Sequence, residues 1–427
     1  MNGGLSMVEM KSGYKMTEVG VIPEDWEVCE LRNHLVLLTD YDANGSFADM
    51  ASNVVTTTGN GYAWYVRATD LEQQSSLSEV KYVDEKSYRF LRKSTLYGGE
   101  VLLAKRGEIG KVYYFQMKTK RATLAPNLYL LKLKDTINSY FLFSLFKSTF
   151  GQNLLKSINA STSLGAIYKD DVKGLNILIP PFEEQASIAT ALSDVDSLIS
   201  ALTKKIEKKK AIKQGLMQQL LTGKKRLPGF NDKWKSMLLG DIAEVKDGTH
   251  QTPQYVKSGG KPFYSVENVT ADDFKNVKHI SLEEHKALTS NYRIEKGDVL
   301  MTRIGSIGCC KYVDWDVDAS FYVSLALLKI NEKYDSKFIS YLSNIKSFKE
   351  EVMLNSLVFA IPQKINLGNI SLIKVYIPTS KAEQTAIANI LSDCDSEIAA
   401  LEEKRDKYKE IKQGMMQQLL TGKIRLI

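Results

Sequence analysis

An internal repeat constrains this chain more than any other feature. Residues 185–227 read QASIATALSDVDSLISALTKKIEKKKAIKQGLMQQLLTGKKRL and residues 384–426 read QTAIANILSDCDSEIAALEEKRDKYKEIKQGMMQQLLTGKIRL, with roughly two-thirds of the aligned positions identical. Fainter echoes precede each copy. GGEVLLAKRGEIG at residues 98–110 matches KGDVLMTRIGSIG at 296–308, and IPEDW, ending at Trp26, parallels FNDKW, ending at Trp234. The chain is a tandem duplication in which each half is a globular segment followed by one repeat. The halves are offset by 208 at the tryptophans (234 − 26) but by 198 at the glycine motif (296 − 98), so the first half carries about ten extra residues between Trp26 and Gly98. Two similar domains with different loops give that pattern.

The repeats read as long helices. Ile188, Leu192, Val195, Ile199, Leu202 and Ile206 alternate in 4-3 spacing, as do Ile387, Leu391, Cys394, Ile398 and Leu401, which is the seam of a coiled coil. Pro180 and Pro378 mark the entries and Gly223 and Gly422 suit the C-termini. Each helix then runs about 35–38 residues, or roughly 50–57 Å. Such a stripe is ordinary core in most helices. Here the length, the duplication and a similarity that exceeds that of the globular parts favour helix pairing. Lys204, Lys205, Lys208, Lys209 and Lys210 read as a solvated face, with phosphate contact as the alternative. Gly215 and Gly414 each cost about 1 kcal/mol in a helix interior, which is compatible with a close approach by a partner helix.

The globular parts mix short β-type runs (101–104, 127–133, 299–302 and 323–330) with turn residues and a few helical stretches, an α/β or α+β pattern. The expected boundaries are a first domain at 1–178, a first helix at 179–227, a second domain at 228–376 and a second helix at 377–427. With 427 residues, more than one core is expected. Lys and Arg exceed Asp and Glu by 57 − 50 = 7, compatible with a polyanionic partner without requiring one. Cys29, Cys309, Cys310 and Cys394 form no Cys-x-x-Cys pair and have no histidine at ligand spacing, so zinc and a disulfide framework are unsupported. No apolar run approaches the ~20 residues that cross a bilayer, and residues 1–20 lack the apolar core of a signal peptide. A soluble, cytoplasmic protein is expected.

At this point the residues resemble a family. GYKMTEVGVIPEDWEV from Gly13, DGTHQTPQYVKSGGKPFYSVENVT from Asp247, GDVLMTRIGSIG from Gly297, and the paired KQGLMQQLLTGK and KQGMMQQLLTGK are similar to specificity subunits of type I restriction-modification enzymes, over nearly the whole chain. The resemblance implies two target-recognition domains, each reading one half of a split, asymmetric site on double-stranded DNA, and two long helices paired antiparallel. It implies two methyltransferase subunits docked on the helices and a translocating restriction subunit. S-adenosylmethionine, ATP and magnesium would then sit on those partners, leaving no cofactor in this chain.

Sequence readout needs hydrogen-bonding side chains at base edges, whereas phosphate contacts need only cations, hydroxyls or free backbone N–H groups. Residues 248–261 offer both. Past Gly248, Thr249, His250, Gln251, Thr252 and Gln254 can address bases, while Tyr255, Lys257 and Lys261 can address the backbone; a solvated glycine-rich loop is the other reading. In the first half the corresponding stretch holds Ser46, Asn53, residues 56–58 and Asn60, then Tyr62, Trp64, Tyr65 and Arg67. Aromatics at that spacing are more often core, which favours Arg67. The resemblance is weaker there, because Asn44-Gly45-Ser46-Phe47 stands where the second half has Asp247-Gly248-Thr249-His250. Lys105, Arg106 and Arg303 lie in the glycine motifs, whose Gly107, Gly110, Gly305 and Gly308 allow close backbone approach to phosphate or a simple strand-to-strand turn.

Chemistry is not expected of this chain. An amino-methyltransferase needs an Asn/Asp-Pro-Pro-aromatic tetrapeptide, and the Pro180-Pro181 pair follows Ile179. No Gly-x4-Gly-Lys-Ser/Thr is present. Glu79-Val80-Lys81 and Glu284-His285-Lys286 imitate a nuclease Glu-x-Lys but read as surface. Three other readings stay open: a subunit serving a fused methyltransferase-nuclease, a coiled-coil DNA-binding regulator, and a self-sufficient enzyme.

Overall fold

The computed structural model describes residues 12–107, 109–159, 165–357 and 359–426. The chain forms two compact units, one of residues 1–202 with 404–427 and the other of residues 203–403. Each unit therefore holds a globular segment and parts of both long helices.

The two units repeat one plan. In the first, a four-stranded antiparallel sheet runs in the order Val112–Tyr114, Val101–Ala104, Leu128–Leu133, Leu35–Asp40; in the second the order is Cys310–Tyr312, Val299–Thr302, Leu325–Ile330, Ala243–Asp247. The central strands, VLLA and VLMT, are buried at every position, and LYLLKL and LALLKI at their first four, so they read as continuous apolar runs. A second sheet comes next: five strands in the first unit, from Thr56–Thr58 to Thr95–Leu96, and four in the other, from Tyr255–Val256 to Ser320–Phe321. In each unit a two-stranded ribbon, Glu27–Glu30 with Asn176–Ile179 or Trp234–Leu238 with Lys374–Pro378, leads through proline into a long helix.

Both long helices, Phe182–Leu220 and Lys381–Leu419, have 39 residues, or about 58 Å at 1.5 Å per residue. Each stops at a glycine in the left-handed region, Gly223 at φ 70° and Gly422 at φ 68°. Of the expected seam, Ile188, Leu192, Leu202, Ile206, Ile387, Leu391 and Ile398 are buried, while Val195, Ile199, Cys394 and Leu401 are half-buried. The helices lie antiparallel. In the first unit Asp196 meets Lys412 and Glu184 meets Arg425; in the second Asp395 meets Lys213 and Glu383 meets Arg226.

These contacts are the same lock made twice. Glu184, at the head of the first long helix, accepts Trp26 Nε1–H at 2.9 Å and a bidentate pair from Arg425 at 2.7 Å each. Glu383 accepts Arg226 at 2.6 and 2.8 Å and Trp234 Nε1–H at 3.4 Å. The next residue, Gln185 or Gln384, accepts a backbone N–H from Asn138 or Asp335 at 2.8 Å and donates to the carbonyl of Pro180 or Pro378. Farther along, Asp196 accepts from Tyr140 at 2.6 Å and Lys412 at 2.7 Å, and Asp395 accepts from Tyr341 at 2.7 Å and Lys213 at 2.5 Å. Sequence similarity between Trp26 and Trp234 thus marks one slot occupied in both units.

A Glu184→Ala substitution removes the partner of a buried indole N–H and of Arg425 together. The expected loss is about 2–4 kcal/mol of unfolding free energy, read by denaturant titration. A loss under about 0.5 kcal/mol would show that the lock does not stabilise the fold.

Candidate nucleic-acid interface

The sheets set the true equivalence of the two halves. Leu128 pairs with Ala104 and Tyr129 with Asp40; Leu325 pairs with Thr302 and Ala326 with Asp247. Asp40 is therefore the counterpart of Asp247, and the expected alignment of Asn44 to Phe47 with Asp247 to His250 is off by four residues. A loop has no side-chain period to fix its register, whereas a strand does. The extra residues of the first half fall after Asp40.

At both aspartates a cation from the glycine motif closes an ion pair. Lys105 Nζ lies 3.0 Å from Asp40 Oδ2 and 2.5 Å from Asp42 Oδ2, with Lys169 Nζ 2.8 Å from Asp40 Oδ1. Arg303 Nη1 lies 2.9 Å from Asp247 Oδ1, and His250 Nε2 2.8 Å from Asp247 Oδ2. The Lys105 and Arg303 side chains are each 9% exposed, so their charges serve these carboxylates rather than standing free for phosphate. Arg303 Nε has no hydrogen-bond partner among the described residues. Burial pushes the Asp40 carboxyl up, but the hydrogen bonds and charges of Lys169 and Lys105 outweigh it and hold it below the ordinary carboxylate range. The glycine motifs are strand-to-strand turns, with Gly107, Gly110, Gly305 and Gly308 at φ 84–94° between antiparallel strands.

Several expected readers of the first unit prove to be committed. Ser46 caps the helix Phe47–Asn53, accepting from Asp49 N–H and donating to the Asp49 carboxylate. Arg67 holds Asp70 through Nε at 3.1 Å and Nη2 at 2.5 Å. Tyr65 is buried, edge-on to Tyr41 at 6.0 Å. Trp64 is buried too, as the aromatic spacing predicts. Asn60 and Arg106 are exposed, and the Arg106 guanidinium has no carboxylate partner among the described residues. Arg106, Lys105, Tyr65 and the 91% exposed Phe47 border one cavity of about 590 Å³.

In the second unit the loop after Asp247 is open. Gly248 packs so tightly that a Cβ would come within 2.5 Å of the Tyr322 backbone, which explains the glycine. Thr249 bridges to Tyr322, and its hydroxyl donates to Gln251 O at 3.4 Å. His250, Gln251, Thr252 and Lys257 are exposed. Tyr255 is half-exposed, with Lys278 Nζ 5.0 Å from its ring centre. Among the helix lysines, Lys209 and Lys210 pair with Glu397 and Glu402, so only part of that block is free.

The sequence pattern did not reveal Asp40, Asp42, Lys169 and Asp247. Apart from His250, three residues from Asp247, their partners lie tens to more than a hundred residues away, and the usable signal was an aspartate closing an equivalent strand in each half. One surface assignment is corrected as well: His285 is buried, hydrogen-bonded to Ser320 at 2.9 Å and Asp318 at 3.0 Å, because it lies on the inner face of the helix Leu282–Leu288. Among the described residues no His, Cys, Asp and Glu group fits a metal ion, and no helix is long and apolar enough to cross a membrane.

The family model described as type I restriction modification DNA specificity domain matches residues 23–214 and again 231–413. A Methanocaldococcus jannaschii chain provisionally named as a type I restriction enzyme MjaX specificity subunit is 29% identical over 441 residues, covering 97% of each chain. The type I restriction enzyme MjaVIII specificity subunit of the same organism is 24% identical over 444 residues, covering 95% of this chain and 94% of its own. Among solved structures, the S subunit of a type I restriction-modification system from M. genitalium matches with TM-score 0.61 at 16% identity, over 92% of this chain and 96% of its own.

The depressed Asp40 titration sets a pH dependence. A carboxylate whose folded value lies below its unfolded value of about 3.9 stabilises the fold above that value and loses the contribution as pH falls through the folded one. Asp40→Asn is therefore expected to destabilise the chain at pH 7, with the gap from wild type narrowing below about pH 4. A gap that is constant across acid pH, in thermal unfolding at matched ionic strength, would contradict this.

Proposed function

The chain belongs to the type I restriction modification DNA specificity family, as a specificity subunit, and on that premise we propose that it selects a bipartite, asymmetric site on double-stranded DNA for enzymes that it docks. Each globular segment reads one half-site. The long helices dock two methyltransferase subunits, with restriction subunits joining that core. S-adenosylmethionine, ATP and magnesium belong to the partners, and this chain performs no chemistry. The protein acts in the cytoplasm, where its DNA lies.

The observation that carries this reading is the pair of matched scaffolds with unmatched loops. Asp40 with Lys105 and Asp247 with Arg303 close the same strand ends. Past those ends the two units diverge: a capped helix with Phe47 in one, an open loop with His250, Gln251 and Thr252 in the other. One frame carrying two different sets of base-capable side chains reads two different words. Among the described residues Arg106, Asn60, Gln251, Thr252 and Lys257 have no side-chain hydrogen bond or ion pair and are the groups for that contact, with Tyr255 beside them under Lys278, while Lys105, Arg303, Arg67 and Ser46 shape the surface that presents them.

Two outcomes are expected. The purified chain, incubated with DNA, labelled S-adenosylmethionine, magnesium and ATP, transfers no methyl group and cuts nothing; activity that co-fractionates with it would overturn the non-catalytic assignment. In a complex with its methyltransferase, replacing Thr249, His250 and Gln251 by alanine alters or abolishes one half-site and leaves the other, while Lys257→Ala weakens binding on all sequences and lowers its salt dependence. Mapping of methylated adenines reads the first effect and salt titration the second. Undiminished selectivity of the loop variant for the original full site would remove that loop from readout.

A further inference from the structure

The helix Phe47–Asn53 is firmly held for an element that buries so little. Of its seven residues only Met50 is buried. Both flanks are nonetheless pinned. Before the helix, Asn44 donates to Tyr41 O and Ser94 Oγ at 2.9 Å each and accepts the Lys93 N–H at 3.0 Å. Just after it, the Val55 N–H donates to Ser87 Oγ at 3.0 Å. An element fixed at both ends, yet packed through one side chain, presents a face rather than building a core.

The polar side chains of this segment bond to the segment itself. Ser46 and Asp49 close on each other at 2.7 and 3.2 Å, Ser52 Oγ donates to Ala48 O at 2.8 Å, and Asn53 Nδ2 donates to Asp49 O at 2.9 Å. What the helix offers outward is Phe47, 91% exposed, with Ala48 and Ala51. Phe47 and Ala51 stand four residues apart and so share one side of the helix. Both border the cavity of about 590 Å³ that Arg106 also lines. A lone exposed apolar residue is ordinary. This one lies just past Asp40, where the two units diverge, and the second unit has no helix at 248–254.

Base edges in the major groove carry amino groups, carbonyls and ring nitrogens, which call for hydrogen bonds, and one apolar group, the C5-methyl of thymine. Phe47, Ala48 and Ala51 can form no side-chain hydrogen bond, so of these features the methyl alone suits them. We propose that Phe47, backed by Ala51, contacts the C5-methyl of a thymine in the half-site that the first unit reads, which makes a thymine–adenine pair part of that word. An apolar contact is non-directional, so only a wall fixed in position can tell which strand carries the methyl. The pinned flanks and the Ser46–Asp49 cap supply that fixity. Arg106, across the cavity, is a cation for the neighbouring phosphate. The proposal rests on the reading of DNA by this unit, stated above, and names what is read.

The site is located by mapping methylated adenines. The full chain with its methyltransferase is then titrated with duplexes in which one thymine at a time is replaced by deoxyuridine, which lacks only the methyl. One position is expected to lose about three- to tenfold in affinity, the amount that burial of one methyl supplies. 5-Bromouracil, whose bromine is close to a methyl in size, is expected to restore binding there. The sensitive position is expected in the half-site that survives replacement of Thr249, His250 and Gln251. Phe47→Ala is expected to weaken binding and to hold the thymine and uracil duplexes equally. Its melting temperature and salt dependence are expected to match wild type, since the ring is exposed and uncharged. Equal affinity of wild type for uracil and thymine at every position overturns the methyl contact while leaving DNA reading by the unit in place. So does a uracil penalty that persists in Phe47→Ala, which would make the ring a wedge between base pairs or a support for the loop. A wild-type complex without site-selective binding overturns the reading of DNA as well.

Discussion

A carboxylate is buried at the head of each long helix, Glu184 in one unit and Glu383 in the other. Moving an ion of that size out of water costs several kcal/mol unless it is both paired and hydrogen-bonded. The compensation comes from far away in the chain: Arg425 reaches Glu184 across 241 positions and Arg226 reaches Glu383 across 157. Trp26 and Trp234 supply the second donor from the start of each globular segment. Three segments must therefore meet before either charge is satisfied, and the compact units consequently cut across the order of the sequence. The first unit is not complete until residues 404–427 arrive.

Around those locks the duplication separates what must stay from what can change. Asp196 with Tyr140 and Lys412 repeats as Asp395 with Tyr341 and Lys213, residue type for residue type. The cation at the reading end is not kept so strictly. Lys105 is a compact charge that draws Asp40 and Asp42 together, whereas Arg303 presents a planar fork that satisfies Asp247 through one arm. Both close the same strand end, so the frame tolerates either cation while the loop it carries takes a different path.

The long helices were legible because a 4-3 apolar spacing repeated through both copies suits a paired helix and no strand, and the glycines at 223 and 422 punctuate it. The strands VLLA and VLMT were legible for a similar reason, as apolar runs bounded by turns. The placement of reading residues was only partly legible. Ser46 and Arg67 have the right chemistry for DNA, but a nearby carboxylate takes each of them, Asp49 and Asp70 at three residues' distance. Sequence pattern reports which groups a side chain carries and not whether they are already satisfied. The pairing of Lys105 with Asp40 was hidden for another reason: it bridges strands far apart in sequence, and only the sheet register brings them together.

The division between satisfied and free side chains accounts for how such a frame can carry different words. A residue such as Arg303 cannot be changed without leaving Asp247 half-buried and short of its partner, a cost the fold would feel. Gln251, Thr252 and Lys257 are exposed, with no side-chain bond to the frame among the described residues, so their substitution lies in the range that stability tolerates. Gly248 stands between the two classes: its position against the Tyr322 backbone fixes where the loop leaves the sheet, while the side chains beyond it are unconstrained. Readout can therefore drift along the loop at little expense to folding, provided the aspartate, its cation and the exit glycine stay in place.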